Sequence, residues 1–199
     1  MNSSVKNTLT CTYIYANILK KTVNWSRFFQ LVKTLGSECN SRKDRFDKAD
    51  IFEQSIEVYS NNKLKWVDGI GVDHIDVANH HTIEFKYQTN GLLTNKGMPK
   101  KKIVIKIKNS LGTTETSSIR EPSEFYMFAQ QNAVALISYR ELEPYLNVVG
   151  DGISTNLPGD KLTWIYRNNS NNSNTQPCIA FNYMQKKRDL QRALIESIE

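Results

Sequence analysis

Cysteines, glycine clusters and long apolar runs are all scarce in this chain, and each shortage removes a class of protein. The three cysteines, Cys11, Cys39 and Cys178, are odd in number and far apart. They offer neither a disulfide framework nor the paired spacing of a zinc site, so a reducing, cytoplasmic setting is expected. The nine glycines never gather into a phosphate-cradling loop, and no Gly-x-Ser-x-Gly occurs. Nucleotide-binding enzymes and hydrolases built on a nucleophile elbow are therefore set aside. Near the N-terminus Ile14, Ile18 and Leu19 are interrupted by Thr8, Thr10, Thr12 and Asn17. That pattern reads as neither a signal peptide nor a membrane span, and no membrane partner is expected. The histidines, His74, His80 and His81, lack a further ligand group at metal-site spacing and read as turn residues.

What is present is an ordinary core and an excess of positive charge. Hydrophobic residues make up 39% of 199 residues, enough to bury the core of one domain. The formal charge of +6 suits a polyanionic partner. Part of that charge is clustered, in Lys100, Lys101, Lys102, Lys106 and Lys108, and again in Lys186, Lys187, Arg188 and Arg192. Lysines in such clusters can neutralise backbone phosphates and release counterions, although lysine on an edge strand also serves simply to discourage aggregation.

Hydrophobic spacing divides the chain into a mainly helical part (1–60), a sheet core (63–146) and a C-terminal part (147–199) of strands, an asparagine-rich loop and a helix. Trp25, Phe28, Phe29, Val32 and Leu35 recur at helical spacing, with Gly36 placed to end the helix. After a polar link (38–48), a second helix would bury Ala49, Phe52, Ile56 and Tyr59 and stop at Asn61-Asn62. Strands are expected at 63–67, 102–108, 124–129, 133–137, 164–166 and 178–181, with a short helix from Arg140 to Leu146. The strand at 102–108 should bury Ile103, Ile105 and Ile107. The 133–137 run is apolar throughout, as suits a strand covered on both faces. The loop 167–176 contains Asn171 and Asn172, whose amides are of the kind that bind adenine edges in a major groove.

The chemistry concentrates in one predicted hairpin, Ile75-Asp76-Val77 and Thr82-Ile83-Glu84-Phe85-Lys86-Tyr87, with its turn around Asn79, His80 and His81. If residue 76 lies opposite 84, period-two alternation puts Asp76, Glu84 and Lys86 on one face and Ile75, Val77, Ile83 and Phe85 on the other. Two carboxylates and an ammonium so close together are costly without a cation or phosphate as partner. The carboxylates can hold a hard divalent cation, and the lysine can orient water or neutralise charge developing on phosphorus. Asp73 is the alternative first acid. Placing it opposite Glu84 would turn Asp76 to the other face, so simple alternation favours Asp76. Glu53, on the second predicted helix, is a further acid within the same part of the chain.

An acid on one strand of a hairpin followed by Glu-x-Lys on the next resembles the PD-(D/E)XK nuclease superfamily. Asp76 matches the first acid, Glu84 the second and Lys86 the lysine, while Ile75 stands where the family name has proline. The resemblance implies a single α/β domain with a central mixed sheet flanked by helices, in the manner of restriction-endonuclease cores. It also implies Mg2+ held by Asp76 and Glu84, with Glu53 as a possible additional acid, and cleavage of double-stranded DNA. A stand-alone chain of this size is most similar to a Type II restriction endonuclease, acting as a homodimer on a palindromic site. Lys101, Lys102, Lys106, Lys108, Asn171 and Asn172 are the expected DNA contacts. Holliday-junction resolvases and phage or homing endonucleases use the same core, and a non-catalytic DNA-binding protein is the alternative from another class.

Overall fold

The computed structural model describes residues 3–36, 42–67, 71–88, 91–94, 98–105, 122–149 and 152–167. Three helices come first: α1 (Ser3–Thr22), α2 (Trp25–Gly36) and α3 (Arg42–Tyr59). Asn24 caps α2 by accepting the Arg27 N–H through its side chain, and its own N–H donates to the Tyr59 carbonyl, fastening the start of α2 to the end of α3. Helix α3 begins inside the polar link expected before it, and it ends at Asn61 and Asn62. Both asparagines adopt left-handed backbone, φ 54° and 60°, and donate back to Val58 and Glu57.

The strands β1 (Leu64–Trp66), β2 (His74–Asp76), β3 (Thr82–Tyr87), β4 (Lys102–Ile103), β5 (Phe125–Gln130) and β6 (Ala133–Ser138) follow. A short helix α4 (Tyr139–Leu142) and a 3-10 turn at 143–145 lead to β7 (Leu146–Val149), β8 (Gly152–Thr155), β9 (Leu157–Pro158) and β10 (Thr163–Arg167). Six strands form one mixed sheet in the order β1-β2-β3-β5-β6-β10, in which β3 and β5 run parallel and the other pairs antiparallel. This is the expected α/β architecture, a single domain with a central mixed sheet flanked by helices.

Alternation along β3, β5 and β6 builds two cores. Ile83, Phe85, Phe125, Met127, Ala129, Val134 and Leu136 pack with the buried stripes of α1, α2 and α3, where Phe28 meets both Phe52 and Phe85. On the opposite face Tyr126, Phe128, Ala133, Ala135 and Ile137 are covered by Leu92, Leu93, Ile103, Ile105, Leu142, Leu157 and Leu162. Burial on both sides is why β6 is apolar from Ala133 to Ile137. Pairing of β4 with β9 secures the second cover. Gly159 follows β9 directly because any side chain there would run into the Lys100 carbonyl. Ile103 and Ile105 are buried and Lys102 and Val104 exposed, as the alternation predicts, but among the described residues only Lys102–Ile103 form the strand. Residues 106–121 and 168–199, which include Ile107 and the last predicted strand and helix, lie outside the described residues. The β7–β8 hairpin was not legible in the sequence.

Candidate active site

The β2–β3 hairpin forms, but in a different register from the one expected. His74 pairs with Ile83 and Ile75 with Thr82, so Asp73 lies across from Glu84 and donates its N–H to the Ile83 carbonyl at 3.0 Å. The expected pairing of 76 with 84 is displaced by three residues, an odd number, and every side chain on β2 changes face. The turn explains the slip. Asp76 Oδ1 accepts the N–H groups of Ala78 and Asn79, His80 N–H returns to the Asp76 carbonyl, and His80 takes left-handed backbone with φ 58°. The loop closes tightly between Asp76 and His81 instead of centring on 79–81.

Asp76 therefore leaves the predicted constellation. Its Oδ2 accepts from the Tyr15 hydroxyl at 2.9 Å and from the Asn79 side-chain amide at 3.1 Å. Burial alone would raise its pKa, but the bonds from Asn79, Tyr15 and Ala78 outweigh it and hold the carboxyl below the usual range. With those bonds it is a turn cap, and Asp73 takes the position opposite Glu84.

Asp73 is held on every side. Its carbonyl accepts from Val67 and its Oδ2 accepts the Phe85 N–H at 2.6 Å. The segment entering it is tied down by Ser123, whose hydroxyl donates to the Gly71 carbonyl at 2.6 Å. Lys86, two residues after Glu84 on the same face, pairs directly with Glu84 Oε1 and lies 3.9 Å from Asp73 Oδ2. Glu84 is almost wholly buried, and its other oxygen, Oε2, has no hydrogen-bond partner among the described residues.

Glu53 joins this cluster through a histidine. Fully buried His74 meets the Glu53 carbonyl through Nε2 at 2.8 Å. Burial pushes the imidazole down to about 4, with the Glu53 carbonyl opposing. The ring is thus neutral, and a carbonyl partner requires Nε2 to carry its proton. That bond fixes α3 against β2 and brings the Glu53 carboxyl within reach of the charges of Asp73, Lys86 and Glu84.

The electrostatics follow from burial of like charges. Desolvation, then the Glu84 charge, raises Asp73, against Lys86 and the Phe85 N–H. Desolvation, then Asp73, raises Glu53. For Lys86 burial works to lower the pKa, but Glu84, Asp73 and Glu53 outweigh it and the value is raised. Lys86 is therefore held as an ammonium.

These groups can take up a hard cation. The open, buried oxygen of Glu84 lacks any partner, and a cation would relieve the repulsion among the carboxyls. Among the described residues no set of three or more His, Cys, Asp or Glu is arranged as a metal cage.

Of the remaining expected residues two are described, and neither is in the cluster. Lys101 and Lys102 are exposed at β4, which pairs with β9. Lys106, Lys108, Asn171 and Asn172 lie outside the described residues. Among the described residues no helix is long and apolar enough to cross a membrane. In comparisons with known proteins, no family model, no curated protein and no solved structure matches the chain.

Proposed function

We propose that the chain is an Mg2+-dependent endonuclease of the PD-(D/E)XK kind, hydrolysing phosphodiester bonds of double-stranded DNA. The observation that carries this reading is the Asp73–Glu84–Lys86 arrangement on adjacent strands, with one buried carboxylate oxygen left open beside a permanent cation. Asp73 and Glu84 would hold the metal. Magnesium, when bound, supplies Lewis-acid charge and makes water a better nucleophile near neutral pH.

The chain's own residues do the rest. Lys86 places a positive charge beside the scissile phosphate and stabilises the negative charge that builds up as water attacks phosphorus and the P–O bond to the leaving nucleotide breaks. The Phe85 N–H and the register of β2 against β3 keep Asp73 facing Glu84. His74 holds the backbone of Glu53 in place, and the raised Glu53 and Asp73 carboxyls limit the negative charge that must be gathered before the cation arrives. The basic charge of +6 favours a nucleic-acid substrate. By size and organisation the finer proposal is a Type II site-specific restriction enzyme working as a homodimer in the cytoplasm. A resolvase, phage or homing nuclease is the alternative within the same chemistry.

The deciding experiment incubates the purified protein with mixed-sequence plasmid in Mg2+, Ca2+ or EDTA, followed by gel electrophoresis and gel shift. Discrete fragments in Mg2+ only, with binding but no cleavage in Ca2+, are expected. A smear indicates a nuclease without site specificity. Intact DNA in Mg2+ together with a metal-independent shift indicates a DNA-binding protein and overturns the catalytic reading.

A further inference from the structure

Tyr126 stands beside Glu84 on the neighbouring parallel strand, the two residues being register partners of β5 and β3. Parallel partners project to the same face, so the phenol shares the face that carries Glu84 and Lys86. It is completely buried, between Phe128 and Tyr139, at ring separations of 6.4 and 6.1 Å. Among the described residues its hydroxyl has no hydrogen-bond partner, and neither has Glu84 Oε2. An orphaned donor and an orphaned acceptor on adjacent strands of one site are an unusual pair, because buried polar groups in folded proteins nearly always find partners. Burial raises the phenol well above its ordinary pKa, and the charges of Glu84, Tyr139 and Asp73 add to that. The group is therefore a neutral O–H donor throughout the working range.

We propose that Tyr126 is a further functional residue of this site, its hydroxyl donating a hydrogen bond to an oxygen atom, of water or of a phosphate, seated beside the open oxygen of Glu84. The inference rests on the nuclease reading above. A phenylalanine would fill the same volume, and a purely structural aromatic at this position has no need of a buried hydroxyl with nothing to bind.

The test compares the unchanged protein with Y126F, with E84Q and with Y139F as a control for loss of an outlying phenol. Calcium affinity is measured by calorimetry without DNA, duplex affinity by gel shift in Ca2+, unfolding temperature in EDTA, and single-turnover cleavage in Mg2+. Y126F is expected to unfold in EDTA at the same temperature as the unchanged protein or higher, since an unsatisfied group has been removed. If the hydroxyl holds water, Y126F binds calcium about tenfold more weakly without DNA, the factor that one net hydrogen bond is worth. If it holds a phosphate oxygen, calcium binding alone is kept, and duplex affinity or cleavage rate falls by about that factor instead. Y139F should match the unchanged protein in all four measurements. A Y126F protein equal to the unchanged one in calcium binding, duplex binding and cleavage, while E84Q loses calcium, overturns the inference and leaves the nuclease reading standing. A lower unfolding temperature for Y126F in EDTA also overturns it, because the hydroxyl then has a partner within the fold. Absence of calcium binding by the unchanged protein overturns both.

Discussion

Two aspartates at the ends of one short strand show what separates a carboxylate that holds a fold from one that is available for chemistry. Among the described residues the Asp76 carboxylate accepts four hydrogen bonds, from Tyr15, from the Asn79 side chain and from the N–H groups of Ala78 and Asn79. The Asp73 carboxylate accepts one, from Phe85, and otherwise faces Glu84, Lys86 and Glu53. The first is fully satisfied by its own neighbourhood, and its pKa is lowered. The second is surrounded by like charge, and its pKa is raised. A carboxylate whose lone pairs are already taken by N–H and O–H donors has little left for a cation, whereas one crowded by other carboxylates gains most from one.

The largest effect expected from this contrast is in cleavage. Asp73→Ala or Glu84→Ala should abolish it, and Asp73→Ala should do so without loss of stability in EDTA, because it removes a like charge from a buried cluster while Glu84 keeps its pairing with Lys86. Asp76→Ala should preserve the site chemistry but cost about 2 kcal/mol of stability, the scale of lost hydrogen bonds to a charged group. Urea denaturation beside a plasmid assay separates the two. Loss of cleavage in a well-folded Asp76→Ala protein, with Asp73→Ala active, would reverse the assignment.

Lys86→Ala comes next. Cleavage should slow by about 10²-fold with duplex affinity nearly unchanged, since the ammonium acts on charge that appears in the transition state. Single-turnover kinetics at saturating enzyme measure this directly, and a fully active Lys86→Ala protein would reduce the Glu84–Lys86 contact to a structural ion pair.

The pH dependence of stability sharpens the comparison further. Glu53 and Asp73 have raised pKa values in the fold, so between about pH 4, where they ionise when unfolded, and their higher folded values the native state binds more protons. Stability without metal should therefore fall as pH rises towards 8. His74 works in the opposite sense: its pKa is depressed to about 4, so its contribution is intact above about pH 6.5 and is lost as pH falls towards 4. Melting temperatures across pH 5 to 9 in EDTA should decline on the alkaline side, and Glu53→Gln or added Ca2+ should flatten that decline. An unchanged slope in both would mean that these carboxyls do not share a site.

The smallest effect tests the Asp76 end alone. Tyr15→Phe removes one bond to that carboxylate and should cost about 1 kcal/mol in denaturant titration, with cleavage untouched. A cleavage defect of the same size as in Asp73→Ala would show that the two ends of β2 are coupled.

The sequence by itself determined which residues share a strand and a face within it. The period-two pattern puts Glu84 with Lys86 and Ile83 with Phe85, the helical spacing of Trp25, Phe28, Val32 and Leu35 marks a buried stripe, and the apolar run at Ala133–Ile137 marks a strand covered on both sides. Within-strand faces are local geometry, and local geometry is written in consecutive residues. Which strand lies against which residue of the next is another matter. The hairpin register depended on a turn tightened by the Asp76 side chain and on left-handed backbone at His80, and a slip of three exchanged Asp76 for Asp73. Tyr126 reached Glu84 only because β5 pairs in parallel with β3, across a connection of more than thirty residues. Glu53 reached the cluster through the packing of α3 on the sheet and the bond from His74 to its carbonyl. These meetings were decided by tertiary structure, because pairing energy is shared among distant segments and no single segment carries enough of it to specify its partner.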